Sequence, residues 1–306
     1  MADKVKVVAV CGPTASGKTS LSVALAKQLD GEIICADSMQ IYKHLNIGTA
    51  KVTTEEMQGI PHHLVGFLEP DIRFSVADYV LLAQECIKEI SARGRLPILV
   101  GGTGLYVQSV LRGVQFAPQK TDMALRETLR QRLEKEGIDP LYQELCAVDP
   151  IYAKGLHKNN HGRVLRALEL YRQTGKTMSE QLAASMPTER PYADVLIGLR
   201  YDNRETLYHH INARVDVMMQ AGLLTEARFV YENRVRYLTA AQAIGYKEFF
   251  PYFEQKTSLE ECVLKLKQAS RNYAKRQITW FSHMENLQWA PAADLCAVQQ
   301  IKELLK

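Results

Sequence analysis

The fold of this chain is decided by one stretch near its start, Gly12-Pro13-Thr14-Ala15-Ser16-Gly17-Lys18-Thr19, which matches the phosphate-binding pattern G-x-x-x-x-G-K-S/T at every fixed position. An apolar, β-branched run at 5–10 precedes it and helically spaced apolar residues at 21–29 follow it, which predicts a buried strand, a loop and a helix. Glycines in such a loop let backbone N–H groups surround phosphate oxygens at a helix N-terminus. We therefore expect this loop to bind a di- or triphosphate, with Lys18 as a point charge and the Thr19 hydroxyl as a Mg2+ ligand.

Composition places the chain among ordinary globular proteins. Its 306 residues are 46% hydrophobic and 24% charged, which is enough for one large domain and a smaller one. The net charge of +4 is compatible with a nucleic-acid partner but too small to argue for one. Six cysteines are scattered without a C-x-x-C pair, which is typical of a reduced, intracellular protein. With no signal-peptide pattern before the first strand and no membrane-length apolar run, we expect a cytoplasmic monomer without a membrane partner.

Strand and helix patterns alternate through the first third of the chain, as in a doubly wound α/β sheet. Further strands are predicted at 32–36, 62–67, 96–100 and 194–200, with an edge strand at 287–290. The sequence Ser75-Val-Ala-Asp78 is a capping box that predicts the start of a helix, and Asn203 is expected to cap another helix that runs to Gly222.

Strand patterns are missing from the middle of the chain. Charged amphipathic helices are predicted there at 121–136, 140–147 and 159–174, and the core pattern resumes after them. We therefore predict an α/β fold with a P-loop NTPase-like parallel sheet. Its catalytic core comprises residues 1–115 plus 192–306, and residues 116–191 form an inserted helical subdomain.

The loops after two other strands must select the chemistry. Asp37 ends the second strand, where it would serve as a Mg2+ ligand, a general base or a helix cap. The fourth strand ends in Gly101-Gly-Thr-Gly-Leu-Tyr106 and lacks the acidic residue usual at the metal-binding strand of many P-loop enzymes. Thr103 in this turn would donate to a phosphate or to Asp37, or the turn would simply cap the helix that begins near Leu105.

Eight motifs in order along the chain resemble those of the bacterial tRNA dimethylallyltransferase family. Besides the phosphate loop, they are residues 36–42 (ADSMQIY), 47–51 (IGTAK), 61–64 (PHHL), 101–106 (GGTGLY), 163–169 (RVLRALE), 244–246 (IGY) and 275–280 (KRQITW). The resemblance implies transfer of the dimethylallyl group from dimethylallyl diphosphate to N6 of adenosine-37 in tRNA, with release of diphosphate. It also implies that the phosphate loop, residues 12–19, holds the donor diphosphate with Mg2+.

The resemblance assigns roles to individual residues. Asp37 would be the general base facing N6, Thr103 would lie beside the reacting groups, and Arg214 would reach the diphosphate. Ser38, Met39 and Gln40 would shape the adenine pocket. The tRNA contacts implied are Asp37, Ser38, Met39, Gln40, Thr103, Arg126, His161, Gly162, Arg163, Val164, Leu165, Gln242, Gly245, Tyr246, Lys247, Lys275, Arg276, Gln277 and Trp280. Gly162 departs from the pattern, because many members carry a larger side chain there.

Recognition of a base beside the anticodon requires that the base be extruded from the anticodon stem-loop. We expect the helical insertion to clamp that stem-loop through basic helix faces such as the one carrying Arg163 and Arg166. Three rivals remain open at the level of sequence: a P-loop small-molecule kinase, a non-catalytic nucleotide-dependent RNA-binding module, and an adenylate isopentenyltransferase that acts on a free nucleotide.

Overall fold

A six-stranded parallel sheet forms the centre of the structure, a computed structural model that describes residues 4–116, 122–292 and 296–305. The strands are β1 (Val5–Cys11), β2 (Gly31–Cys35), β3 (His62–His63), β4 (Leu96–Gly101), β5 (Tyr192–Arg200) and β6 (Leu287–Pro291). Their order is β3-β2-β4-β1-β5-β6, and every neighbouring pair is parallel. The predicted α/β class with a P-loop-type sheet is confirmed, including the edge strand β6.

The chain divides into two compact units. The core unit consists of Met1–Leu111 and Arg190–Lys306, and the insertion consists of Arg112–Glu189. The helices of the core unit are α1 (Lys18–Leu29), α2 (Thr54–Met57), α3 (Val76–Ala92), α4 (Gly104–Arg112), α10 (Arg204–Gln220), α11 (Leu223–Glu232), α12 (Phe250–Phe253), α13 (Leu259–Ser282) and α14 (Cys296–Leu304). The last residue of α4, Arg112, is the first residue of the insertion. The core unit also has 3-10 turns at Ala240–Gln242 and Lys247–Phe249. The insertion contains α5 (Met123–Glu136), α6 (Ile138–Val148), α7 (Pro150–Lys154), α8 (His161–Thr174) and α9 (Met178–Ser185).

Alternate residues of β1 point to opposite faces of the sheet, as the period of two requires. Val7 and Ala9 join a buried cluster with α3, α4 and the end of α13. Val8 and Val10 join another with α1 and α14. Helices therefore cover both faces of the sheet, which is the arrangement expected of buried parallel strands.

The two helix N-caps that were predicted from short sequence patterns are present in the structure. The Ser75 side chain accepts a hydrogen bond from the Asp78 amide and completes the predicted capping box of α3. The Asn203 side chain caps α10, as predicted. In the insertion, α5 has Asp122 as its N-cap, while Thr121, predicted as the first residue of this helix, lies outside the described residues.

One predicted strand is much shorter than expected. The prediction of a strand over 62–67 was wrong beyond His63, because β3 contains only His62 and His63. Leu64 and Gly66 have φ values of 60° and 57°, which an extended strand cannot accommodate. The chain turns there, and the Phe67 amide then bonds to the Ile41 carbonyl.

The helices were compared with the length and apolar character of a membrane span. Within the described ranges, none of them combines the length and the apolar character needed to cross a bilayer.

Asp149 is a buried carboxylate that connects helices α7 and α9 of the insertion. It is 2% exposed, and its carboxylate accepts hydrogen bonds from the amides of Tyr152 (3.0 Å) and Ser179 (2.9 Å), the first turns of α7 and α9. These bonds from Ser179 and Tyr152 outweigh burial and lower the pKa of Asp149. The carboxylate therefore stabilises the folded insertion in its ionised form.

We predict that Asp149→Ala lowers the free energy of unfolding of the insertion by about 2–4 kcal/mol, since it removes the N-cap of α7 and leaves the Ser179 amide in the first turn of α9 without its acceptor. Because the folded pKa is depressed, this contribution is complete above the unfolded pKa of about 4 and is lost as the pH falls through the folded pKa. Hydrogen exchange of insertion amides as a function of pH measures both effects. Asp139→Asn, at an exposed ion pair with Lys158, is the control and should change little.

Candidate active site

The phosphate loop is closed around the carbonyl oxygen of Pro13. Ser16 Oγ donates to this oxygen at 2.9 Å and Lys18 Nζ donates to it at 2.6 Å. Gly17, the N-cap of α1, has φ 82°, a left-handed conformation that suits glycine. The loop is therefore already curved, and the first amides of α1, which have no partner within the helix, face an anion-binding concavity.

Three side chains from distant parts of the chain hold the loop in place. The Tyr201 hydroxyl donates to the Ala15 carbonyl at 3.0 Å, and Arg214 donates to the Thr14 hydroxyl at 3.4 Å. The Thr14 amide donates to Gln277 Oε1 at 3.0 Å. The backbone amide of Thr14 is thus already bound to protein, and the Thr14 hydroxyl accepts its hydrogen bond from Arg214.

Lys18 and Arg214 bring two positive charges to this loop. Burial is the main cause that lowers the pKa of Lys18 to about 8; Arg214 lowers it further, and Asp37 acts in the opposite direction. Burial also lowers the pKa of Arg214, against the attraction of Glu56 and Asp37. Within the described residues neither cation lies in an ion pair, so the loop has an excess of positive charge that an anionic ligand would relieve.

Asp37 follows β2 and faces the same region. Its Oδ1 accepts hydrogen bonds from the amides of Met39 (2.8 Å) and Gln40 (3.3 Å), so the carboxylate caps a turn. In the part of the chain that the structure describes, Oδ2 has no hydrogen-bond partner. One oxygen therefore shapes the turn while the other is left to accept a proton or to ligate a cation.

Thr103 joins the end of β4 to the segment after β2. Its amide donates to the Ala36 carbonyl at 3.1 Å, and its hydroxyl accepts from the Ser38 amide at 3.0 Å. The hydroxyl also donates to Ser38 Oγ at 3.4 Å. In the described residues this hydroxyl bonds to Ser38 and not to Asp37, and the glycine turn leads directly into α4.

Gln40 is held by the segment that follows it. Its Nε2 donates to the carbonyls of Thr49 and Ala50 at 3.3 and 3.1 Å. The same segment is anchored by Glu226 of α11, whose carboxylate accepts from the amides of residues 46, 47 and 48 at 2.8–3.0 Å and from the Tyr246 hydroxyl at 2.8 Å. The position of Gln40 beside Asp37 therefore depends on a carboxylate almost two hundred residues away.

The other predicted tRNA contacts of the core unit differ in exposure. The exposed ones are Gln242, Lys247, Lys275 and Arg276, and those of intermediate exposure are Ser38, Met39, Gln40, Thr103 and Trp280. Buried members are Gly245, Tyr246 and Gln277. The Tyr246 and Gln277 side chains make contacts inside the core unit, and contact of these two positions with RNA stays a prediction.

In the insertion, the predicted contacts cluster at the start of α8. His161, Gly162 and Arg163 are exposed there, Leu165 is partly buried and Val164 lies in the core of the insertion. Arg126, on α5, donates to both carboxylate oxygens of Glu169, with its Nη2 3.1 Å from each. This surface exposes the polar side chains of His161 and Arg163, whereas Arg126 is already oriented by a partner.

The loop also offers a donor set for Mg2+. Thr19 lies in the first turn of α1, and its hydroxyl makes no hydrogen bond within the described residues. No group of three His, Cys, Asp or Glu side chains that could hold a metal occurs in the described ranges. Such a group is not required, because Mg2+ is usually held by one or two protein oxygens together with substrate phosphates. The Thr19 hydroxyl fits that description.

Sequence analysis missed three residues of this site: Tyr201, Glu226 and Tyr273. Burial raises the pKa of Tyr273, on α13, and the neighbouring Thr103 and Gln277 side chains oppose that shift. A usable signal was the spacing of 273, 277 and 281, which places all three on one helical face with the buried Phe281. No comparable signal marks Tyr201 or Glu226.

The chain matches the family model described as IPP transferase over residues 40–284, and the model described as isopentenyl transferase over residues 5–65. A protein of Bacillus subtilis named tRNA dimethylallyltransferase is 51% identical over 286 residues, which are 94% of this chain and 90% of that protein.

Solved structures give the same relationship. The structure of a full-length tRNA isopentenylpyrophosphate transferase from Bacillus halodurans is 43% identical, with a TM-score of 0.73 over 99% of this chain and 96% of that one. A eukaryotic dimethylallyltransferase, whose structures are described as acting on tRNA, is 31% identical, with a TM-score of 0.81 over 97% of this chain and 77% of that one. With a family model matched over most of its length and a bacterial relative 51% identical, the chain belongs to the IPP transferase family.

Proposed function

We propose that the chain transfers the dimethylallyl group from dimethylallyl diphosphate to N6 of adenosine-37 in tRNA and releases diphosphate. Prenyl transfer to tRNA follows from the family and from relatives named tRNA dimethylallyltransferase. The donor, the acceptor atom and the roles of residues are our proposal. One arrangement carries it: Lys18 and Arg214 adjoin the phosphate loop without ion-pair partners in the described residues, and Asp37 keeps one open oxygen beside them.

On the donor side, the loop binds and stabilises the leaving group. As the bond between C1 of the allyl group and the diphosphate oxygen breaks, the electron pair stays with the diphosphate. Lys18, Arg214 and the amides at the start of α1 offset the charge that develops there. When bound at the Thr19 hydroxyl, Mg2+ supplies further charge neutralisation of the diphosphate. The excess positive charge of the loop thus matches an anionic leaving group.

On the acceptor side, N6 attacks C1 and must lose a proton. The carboxylate of Asp37 accepts this proton through its open oxygen, while Oδ1 remains fixed by the amides of Met39 and Gln40. Thr103 and Ser38 hold the neighbouring loops together. Orientation of the weakly nucleophilic amine against C1 is then the second contribution of the protein.

For tRNA, we propose that the exposed members of the predicted set make the contacts. Lys247, Lys275 and Arg276 lie on the core unit and His161 and Arg163 on the insertion, where they suit phosphate and base contacts to an anticodon stem-loop. We further expect the protein to act as a monomer in the cytoplasm.

A direct comparison tests the proposal against its rivals. The protein is incubated with dimethylallyl diphosphate and either an anticodon stem-loop or AMP, and products are identified by mass spectrometry after digestion. We expect prenylated adenosine at position 37 of the stem-loop only. Equal or better prenylation of AMP would assign the chain to the branch that modifies free nucleotides, and phosphate release from ATP without prenyl product would favour a kinase.

We predict that Lys18→Ala weakens donor binding and turnover but leaves stem-loop affinity within about twofold, since the hydrogen bond of Lys18 goes to Pro13 of the phosphate loop. Because the anion favours the charged ammonium and the pKa of Lys18 is about 8, donor kcat/KM should fall as the pH rises through that value. Lys18→Arg keeps its charge over this range and should flatten the profile. A steep loss of stem-loop binding in Lys18→Ala would contradict the assignment.

Asp37→Asn should lower kcat by about 100-fold or more, the effect of removing a positioned base. The amide oxygen of asparagine can still accept from Met39 and Gln40, so the turn and stem-loop affinity should be preserved. Single-turnover assays with saturating donor measure the chemical step. Near-normal turnover of the variant would mean that Asp37 only caps the turn.

Neutralising Lys275 and Arg276 together by glutamine should raise KM for tRNA. It should also flatten the slope of log affinity against log salt by up to about 2, roughly one for each lost phosphate contact. Donor KM should stay unchanged. Replacing the exposed Lys27 and Lys88 by glutamine removes the same charge elsewhere and serves as the control. If both double variants weaken tRNA binding equally, only net charge matters and the contact assignment is wrong.

A further inference from the structure

The side chain of Gln277 spans two loops of the site. Its Oε1 accepts from the Thr14 amide of the phosphate loop at 3.0 Å, and its Nε2 donates to the Gly102 carbonyl of the turn after β4 at 2.9 Å. The residue is 5% exposed, unlike its neighbours Lys275 and Arg276 on the same helix. Both ends of the amide are therefore occupied by protein, and little of it faces solvent.

The turn after β4 is shaped to receive helix α13. A Cβ atom on Gly102 would lie 2.1 Å from Gln277 Nε2, and one on Gly104 would lie 2.2 Å from Trp280 Cδ1. Gln277 and Trp280 are one helical turn apart and so lie on one face of α13. Any side chain at 102 or 104 would push this face away, so glycine at both positions permits the close approach.

We propose that Gln277 is a positioning residue of the prenyl-transfer reaction, which holds the phosphate loop in register with the turn that carries Thr103. The inference rests on the proposed function. Through Thr14 the amide fixes the loop that binds the leaving group, and through Gly102 it fixes the turn whose Thr103 is bonded to Ser38, next to Asp37. Gln277 then sets the distance between donor and general base without touching either substrate.

Two variants separate this role from an RNA contact. Gln277→Met keeps the approximate volume but neither hydrogen bond, and should lower kcat at saturating substrates about 10- to 30-fold, the size expected for two neutral hydrogen bonds. Its affinity for an anticodon stem-loop should stay within about twofold of wild type. Arg276→Gln, one residue away and exposed, is the comparison for an RNA contact and should weaken stem-loop binding.

The second variant, Gln277→Glu, gives a signature that a general loss of stability would not. An ionised glutamate can accept from Thr14 but cannot donate to Gly102, whereas a protonated glutamic acid can do both. Burial and the nearby Asp37 raise the pKa of such a carboxyl, while Lys18 and Arg214 at the phosphate loop and Arg276 on the same helix act in the opposite direction, so we expect it to titrate within a range accessible to assay. The kcat of Gln277→Glu relative to wild type should therefore rise as the pH is lowered from about 8 to about 6, while the same ratio for Gln277→Met stays flat.

The outcomes decide between the readings. Stem-loop binding weakened in Gln277→Met as much as in Arg276→Gln, with normal kcat, would make Gln277 an RNA contact and overturn the proposal. A flat relative pH profile for Gln277→Glu would also overturn it, even if Gln277→Met fails to fold. Absence of any prenylated stem-loop with the wild-type protein would instead reject the proposed function, and the inference with it.

Discussion

The active site depends on keeping two positive side chains, Lys18 and Arg214, partly buried around one loop without a carboxylate partner in the described residues. Burial lowers the pKa of both, so the fold bears a cost for each charge. Neutral hydrogen bonds hold the loop in shape whatever its charge: the Tyr201 hydroxyl donates to the Ala15 carbonyl, and Gln277 accepts from the Thr14 amide. A bound anion would offset the cost of holding the two cations, which agrees with the diphosphate donor proposed above.

A parallel sheet brings the second half of the chemistry to the same edge. Residues after β1, β2 and β4 emerge together, and they are joined directly: the Ala36 amide donates to the Val100 carbonyl at 2.7 Å and the Thr103 amide donates to the Ala36 carbonyl at 3.1 Å. Asp37 is thereby fixed to the strands that carry the phosphate loop. The proposed base and the proposed diphosphate site are therefore both attached to the sheet, where a small displacement of either would be most costly to rate.

Sequence alone could predict what local signals determine. The strands around the phosphate loop, the capping box at Ser75 and the cap at Asn203 follow from patterns a few residues long, and the structure has them. The length of β3 was mispredicted because the positive φ of Leu64 has no signature in its side chain. Such a turn is determined by tertiary contacts of the residues that follow it, here the hydrogen bond from the Phe67 amide to the Ile41 carbonyl.

Contacts between residues far apart in the chain could not be predicted from the sequence. Tyr201 bonds to a residue 186 positions away, and Glu226 anchors amides 178 to 180 positions away. A tyrosine or a glutamate on an amphipathic helix carries no mark of such a partner. The resemblance to a family grouped Gln277 with exposed cations of the same motif, although helical spacing puts it on the face of Phe281. Motif membership identifies a region, and only packing separates its inward from its outward members.

In the insertion, packing holds Arg126, one of the predicted tRNA contacts, in a fixed orientation. Glu169 is 3% exposed and shared by Arg126 and Arg166, at 3.1 and 3.2 Å. If Arg126 left it for a phosphate, a buried carboxylate would lose one of its partners, which is costly. Yet only Nε and Nη2 of Arg126 engage Glu169, and a guanidinium has five N–H donors in a fixed plane. In the part of the chain that the structure describes, Nη1 makes no hydrogen bond, so it would be the atom that contacts a phosphate if Arg126 binds RNA as predicted, with the plane still anchored. Because the side chain is already ordered, such a contact would lose less conformational entropy than one made by a mobile surface arginine.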